Sequence, residues 1–417
     1  MNGRLEGARI CLVSPGHLGS NPRLVKEADA LVEAGCEVEV IFGDTFEPAR
    51  VRDEAILGTA QWKAVSVELN LKSLSGMWLR LRQKVAQLLF GAGLRVAPVA
   101  RLAHHPLLPS LEKAATKQRA DLYIGHCLAA LPVVVRVARK YGAKCGFDAE
   151  DYHSAEQMDS GKGRSANKIA KVLERVYLGQ CDYVTASSPL IAKTYAEELE
   201  INAQVVLNVF PKCQAPPKPI LAGEKPSFYW FSQTIGPGRG LEKFLHVLRS
   251  LKRPCDLDLR GHVSSSYQDS LKILARGSEV NLRFLEPDVP DSMVKHAAGY
   301  TAGLSLENQA PTNRDLCLTN KVFTYLLAGT PSILSHTRAH LDLLRRLGKA
   351  AVLIDLDQPE QAAGTLRDWL SSPEALELAR QSAWRLGQEE FNWDQEKQKF
   401  LSTVEACLGV SGKSGET

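Results

Sequence analysis

Short, wholly apolar runs alternate along the chain with longer stretches in which apolar residues recur every third or fourth position. The first kind describes strands buried on both faces, the second amphipathic helices, and their succession predicts repeated strand–helix–strand units. ARICLVS (residues 8–14) reads as a strand, PGHLGSNP as a loop, Arg23 to Ala34 as a helix stopped by Gly35, and EVEVIF as the next strand. Further strands are predicted at Leu122 to Ile124, Cys145 to Phe147, Tyr183 to Ala186 and Gln204 to Leu207. Helices are predicted at Ala129 to Tyr141, Lys168 to Cys181 and Leu190 to Leu199.

The pattern lapses over FPKCQAPPKPILAGEKPS, where prolines crowd, and then restarts. Strands follow at Phe228 to Phe231, Leu257 to Arg260, Leu282 to Leu285, Gly303 to Leu306, Ser332 to Leu334 and Val352 to Ile354, with helices at Leu241 to Leu251 and Ser266 to Arg276 among those between them. The reading is α/β: two Rossmann-like, doubly wound domains in series. They span residues 1–208 and 227–390, with a linker at 209–226, a closing helix at 391–408 and a disordered tail at 409–417. A chain of 417 residues is long enough for two such cores.

Composition narrows the class. Hydrophobic content of 44% and charged content of 24% are those of a globular protein, and no apolar run reaches bilayer length. Nine cysteines stand singly, without metal-ligand spacing, which points to reduced thiols in the cytoplasm. A net charge of +4 gives no reason to invoke nucleic acid.

Ligands of open α/β sheets sit beyond the carboxyl ends of the strands, so chemistry is sought in those loops. After the first strand, Gly16 and Gly19 precede a helix that Asn21 can cap and Pro22 can open; the pattern fits a ligand loop or a plain turn. In the second domain, SQTIGPGRGLEKFL places Gly238, Arg239 and Gly240 at a helix mouth, a good setting for a diphosphate. In LTNKVFTYLLAGTPSIL, Thr319 is a candidate N-cap and the helix starts at Asn320. Lys321 in the first turn opposes the helix dipole unless an anion meets it, which hints at a phosphate. Thr324 shares a face with Asn320; it either faces a ligand or bonds back to the carbonyl four residues earlier. Asp148, Glu150, Asp151 and His153 in FDAEDYHS follow a strand and are candidates for acceptor binding or helix capping. Asp256 and Asp258 mimic a DxD metal motif, but strand alternation explains them, and no catalytic metal is expected.

The order of these features resembles the retaining GT-B glycosyltransferases of family 4. The likeness is carried by RICLVSPGHLGSNPRLVKEADALVEAGCEVEVI, DLYIGHCLAALPVVVRVARKYGAKCGFDAEDYHS, GRGLEKFLHVL and LTNKVFTYLLAGTPSIL, and extends over nearly the whole chain. It implies two domains facing a central cleft, a closing helix over FNWDQEKQKFLSTVEACL that returns to the first domain, a nucleotide-diphosphate sugar as co-substrate held by the second, an acceptor held by the first, and no other cofactor. It implies that Arg239 grips the diphosphate, that Gln233 stands where many members have arginine, and that His126 lies near the transferred sugar. The family's usual glutamate at position 324, which bonds the nucleotide ribose, is Thr324 here, and its partner glutamate falls at Leu316; Glu307, just after its strand in LSLENQAPTN, is a candidate to approach the same place. The implied activity is transfer of a sugar to a glycan or lipid-linked acceptor in cell-surface polysaccharide assembly. A non-catalytic sugar- or nucleotide-binding subunit and a nucleotide-sugar epimerase are the alternatives.

From Leu71 to Leu111 the chain has no acidic residue, while basic residues from Lys72 to Arg101 interleave with Trp78, Leu81, Leu88 and Phe90. Such a segment either lies on an anionic membrane surface or packs on its own domain with a basic outer face.

Overall fold

In a computed structural model, which describes residues 5–70 and 73–409, the chain forms two compact units. One runs to Val206 and takes up the chain again from Lys397; the other is Leu207–Glu396. The tail expected to be disordered lies, apart from Gly409, outside the described residues.

The first unit contains β1 (Arg9–Ser14), α1 (Pro22–Glu33), β2 (Glu37–Asp44), α2 (Arg50–Leu57), β3 (Lys63–Glu68), α3 (Leu74–Gly91), α4 (Ala97–His104), α5 (Leu108–Ala115), β4 (Leu122–His126), α6 (Leu131–Tyr141), β5 (Lys144–Ala149), α7 (Gly161–Tyr177), β6 (Tyr183–Ala186), α8 (Pro189–Leu199) and β7 (Gln204–Val205). Its seven strands are all parallel in the order β3-β2-β1-β4-β5-β6-β7. β4 is buried throughout and β5 at all but its first residue, as helices on both faces require. Asn21 accepts a hydrogen bond from the Leu24 amide (3.1 Å) and Pro22 opens α1, as its sequence predicts.

Two of the elements that differ from expectation do so for clear local reasons. β3 was not predicted, because KAVSVE lies at the sheet edge, alternates exposed with half-buried positions and offers no apolar run. α7 starts at Gly161 rather than Lys168, because its first turns, GKGRSAN, are largely solvated and carry no stripe; the buried side begins at Ile169.

The second unit contains β8 (Ser227–Ile235), α9 (Leu241–Leu251), β9 (Cys255–Val263), α10 (Ser265–Ala275), β10 (Val280–Leu285), α11 (Met293–Ala297), β11 (Ala302–Ser305), α12 (Thr312–Leu316), α13 (Asn320–Ala328), β12 (Ser332–Ser335), α14 (Arg338–Leu347), β13 (Ala351–Ile354), α15 (Pro359–Leu370) and α16 (Pro373–Glu389). Its parallel strands run in the order β10-β9-β8-β11-β12-β13. β8 sends Phe228 and Trp230 to one face, among Phe244, Leu248, Leu259 and Leu304, and Tyr229 and Phe231 to the other, among Tyr325, Leu327 and Val294. Gly303 lets α13 settle on β11: a Cβ there would lie 2.2 Å from Cγ of Tyr325. The last helix, α17 (Trp393–Cys407), begins in the second unit and continues in the first.

Both sheets reverse direction of winding once, the first between β1 and β4 and the second between β8 and β11. Those switch points are where ligand loops diverge in doubly wound sheets.

Candidate functional site

At the β8/β11 switch point, the loop after β8 turns into α9 through Gly238 (φ 73°) and Gly240 (φ 74°), both left-handed and therefore natural to glycine. Gly240 is the N-cap of α9 and lends it no side chain, so the opening amides of α9 receive no capping oxygen from it. The loop is pinned from β11's side: the Gly238 carbonyl accepts from Asn308 Nδ2 (3.0 Å) and from the Arg314 guanidinium. Arg239 stands half-buried between the two glycines, and its charge acts on Lys321. Glu307 follows β11, held by reciprocal bonds with Ser335: its amide donates to Oγ (2.7 Å) and Oγ donates to its carbonyl (2.7 Å).

Two expectations for α13 are corrected. The anion that meets Lys321 is Glu307, whose Oε1 lies 3.5 Å from the ammonium, both side chains being buried; a bound phosphate is not needed to explain a lysine in the first turn. The ammonium also lies 5.5 Å from the Trp230 ring centroid, a cation–π contact. Burial holds Lys321 below its ordinary pKa; Glu307 pulls it up, and Arg239 pushes it down. Thr324 is fully buried and its hydroxyl donates to the Asn320 carbonyl (3.0 Å), so it takes the back-bonded arrangement and does not offer its hydroxyl to a ligand. Thr319 has N-cap backbone geometry but makes no side-chain cap. Gln233 is exposed on β8, and among the described residues no hydrogen bond or ion pair joins it to Arg239, Lys321 or Glu307. Asp258 is held by both Arg283 nitrogens (2.6 and 2.7 Å), and Asp256 by Lys225 (2.6 Å) and Asn281 (2.9 Å), which accounts for the DxD spacing without a metal.

In the first unit, His126 ends β4 at the β1/β4 switch point but is 1% exposed. It faces Glu27 Oε2 (3.1 Å) and Asp148 Oδ2 (3.4 Å), while Arg23 grips both Asp148 oxygens (2.6 and 2.7 Å) and sits 3.6 Å from Glu27. Burial works against the charge on His126, but Glu27 and Asp148 outweigh it and lift its pKa to about 10. Asp148 goes the other way: burial favours its neutral form, and Arg23 and His126 overcome that and hold it well below the usual carboxylate range. The cluster is thus two cations balancing two anions. Glu27, His126 and Asp148 bring ligand atoms within 4.8 Å of one another, yet the positive charge such donors would want from a metal comes from Arg23. His126 and Asp148 are therefore not presented to a sugar or an acceptor, contrary to expectation.

Glu150 and Asp151, just beyond β5, are half-buried. Burial, followed by the charges of Asp151 and Asp148, pushes the Glu150 carboxyl up to about 7. His153 is buried against Glu156 (3.2 Å); burial lowers its pKa, but Glu156 and Asp151 carry it to about 9. Cys127, immediately after His126, has φ 62°, an uncommon value for a side chain other than glycine or asparagine, at the place where β4 gives way to the loop.

Gly16 and Gly19 are also explained from within. The Gly16 amide donates to Ser14 Oγ (3.3 Å), and the Gly19 amide to Asp53 Oδ1 (2.9 Å); a Cβ on Gly19 would lie 2.7 Å from Cβ of Arg52 on α2. What approaches Gly19 is a helix of the same unit, not a ligand. The organiser of this loop, which sequence reasoning missed, is His17: Nε2 accepts from the Thr45 (3.0 Å) and Phe46 (2.9 Å) amides, so Nδ1 carries the proton and donates to Asp53 Oδ2 (2.6 Å). Asp53 in RVRDEA looks like any solvated helix charge, and nothing in the sequence marks it.

No protein-family model and no curated protein matches the chain. Solved structures do. A sucrose-phosphate synthase from Thermosynechococcus elongatus superposes with a TM-score of 0.69 at 12% identity, over 97% of this chain and 100% of that one. Anabaena HepE, solved with UDP and glucose, gives 0.67 at 14% identity over 96% and 100%. An enzyme described as a UDP-N-acetylglucosamine 2-epimerase of Listeria monocytogenes gives 0.61 at 10% identity over 99% of each chain. At these identities the likeness is one of fold, and the fold is GT-B: two Rossmann-like α/β units.

Proposed function

We propose that this protein is a retaining glycosyltransferase of the family 4 type. It moves a sugar from a nucleotide-diphosphate sugar to a glycan or lipid-linked acceptor in cell-surface polysaccharide assembly. The observation that carries the reading is the grouping, at the β8/β11 switch point, of half-buried Arg239 and the uncapped α9 N-terminus on a GT-B fold. When the bond from the anomeric carbon to the diphosphate breaks, negative charge collects on the leaving oxygen, and fixed cations and amides aimed there contribute most. Arg239 is assigned to the diphosphate and α9 supplies amides; Lys321, its charge met by Glu307, lies near enough to Arg239 for the two charges to act on each other. On the acceptor side, Glu150, its carboxyl pushed up to about 7 by burial and by Asp151 and Asp148, is assigned to the proton of an acceptor hydroxyl.

Uridine is the base to try first, since HepE was solved with UDP and with UDP-glucose. The test is calorimetric titration with UDP, GDP and their sugar conjugates, beside Arg239→Ala. The expected result is binding of one nucleotide diphosphate, weakened at least about tenfold in the variant, as loss of a charge-assisted hydrogen bond predicts. Absence of binding to any of them would overturn the reading. The fold likeness to an epimerase keeps one other activity in view, and analysis of products with and without acceptor separates the two.

A further inference from the structure

The two readings of the basic segment after Leu71 part company on the surface of α3. Its side toward its own unit is Gly76, Ala86 and Phe90, with Gln83 and Gln87 donating to the Ala103 carbonyl of α4. At about 100° per residue, Leu74, Trp78, Leu81, Val85 and Leu88 fall within about 40° of one line, on the side opposite that buried face. They are in solvent: Leu74 is 88% exposed, Trp78 61%, Leu81 55% and Leu88 74%. Met77 and Leu89 widen the stripe, and Leu94 and Val96 continue it past the helix end. An exposed apolar band about 27 Å long, as 18 residues of helix give, marks an interaction surface.

Charge identifies the occupant. Arg82 flanks the stripe at about 80° on one side, Lys84 and Arg80 at about 80° and 120° on the other, and from Leu71 to Leu111 no acidic residue interrupts the positive field. Arg101 does not belong to this set, because it pairs with Glu112, and Lys72 lies outside the described residues. A second copy of the chain would bring the same cations against one another around a shared apolar seam. A bilayer with anionic headgroups accepts both parts at once: apolar side chains enter the acyl boundary and the long basic ones reach back to phosphates. No described helix is long and apolar enough to cross a membrane, so the contact is in-plane.

We infer that α3 docks this protein on an anionic lipid surface, with Leu74, Trp78, Leu81, Val85 and Leu88 inserted and Arg80, Arg82 and Lys84 on the headgroups. The inference rests on this helix face alone, so its failure leaves the donor-site reading standing. The experiment is flotation of the full chain with vesicles of phosphatidylcholine alone and of phosphatidylcholine with phosphatidylglycerol. Two double variants, Leu81→Ser/Val85→Ser and Arg80→Gln/Lys84→Gln, are run beside it; all four positions are exposed, and circular dichroism checks their folding. Wild type floats with the anionic vesicles only, is released by high salt, and loses about tenfold or more in partitioning in each variant. Trp78 emission shifts to the blue on vesicle addition, and the shift is absent in Trp78→Phe. No flotation, or flotation that neither variant weakens, overturns the inference. So does a wild-type dimer in solution that Leu81→Ser/Val85→Ser turns into a monomer, since a second copy would then cover the stripe.

Discussion

A carboxylate at position 324 would have to be buried, because Thr324 is fully enclosed and its hydroxyl already serves the Asn320 carbonyl. Thr324→Val, which keeps the shape, should leave nucleotide affinity within about twofold of wild type, since no ligand bond is lost. Thr324→Glu should instead lower stability by more than about 3 kcal/mol through an unpaired buried charge; titration and denaturant melts of the two variants check both outcomes. His126 supports a sharper expectation. Its folded pKa of about 10 exceeds the unfolded value of roughly 6.5, so the folded state holds the proton more tightly. That contribution is complete below about pH 6.5 and is lost as pH rises toward 10. His126→Gln should therefore cost about 3 kcal/mol near pH 6. The gap from wild type should shrink steadily over the alkaline range in denaturant melts. Residue roles were the least legible part of the sequence: LYIGH shows a histidine at a strand end, but not that Arg23, more than a hundred positions away, would turn Asp148 into its counter-ion. A lysine in a first turn calls for an anion, but only the folded chain shows that the anion is Glu307 and not a phosphate.

Elements were far more legible, because an apolar run or a 3.6-residue stripe is a local property. α9 and β6 fall where the pattern places them. β3 escaped because an edge strand needs little apolar surface, and α3 was ambiguous because it has two apolar faces, only one of which its own unit buries. Close packing between elements, by contrast, hangs on residues with no side chain to betray them. Gly303→Ala should destabilise the second unit by about 3 kcal/mol, since the added methyl meets the root of the Tyr325 ring, whose hydroxyl is fixed to the Tyr229 (3.2 Å) and Leu304 (3.1 Å) carbonyls. Gly364→Ala on α15, where a Cβ meets nothing within 4 Å, should stabilise by about 0.5–1 kcal/mol. Paired thermal melts of these two variants separate packing from helix propensity.

At the scale of the whole molecule, two α/β units in series could be read from one lapse in periodicity, whereas the destination of α17 came only with the resemblance. Phe400 and Val404 on its later turns are buried, and Lys397 pairs with Glu33 (2.8 Å). A chain ended after Glu396 keeps the whole second unit but lacks this cover. Limited proteolysis should then cut first within residues 5–206, and spare Leu207–Glu396. The same feature sets an order of events during synthesis. The second unit is one continuous segment and can complete its core as soon as that segment emerges. The first, although translated earlier, must wait with an uncovered apolar surface until α17 has been made. The part of the protein that leaves the ribosome first is therefore the last to finish folding, and it is the part in need of a chaperone's protection meanwhile.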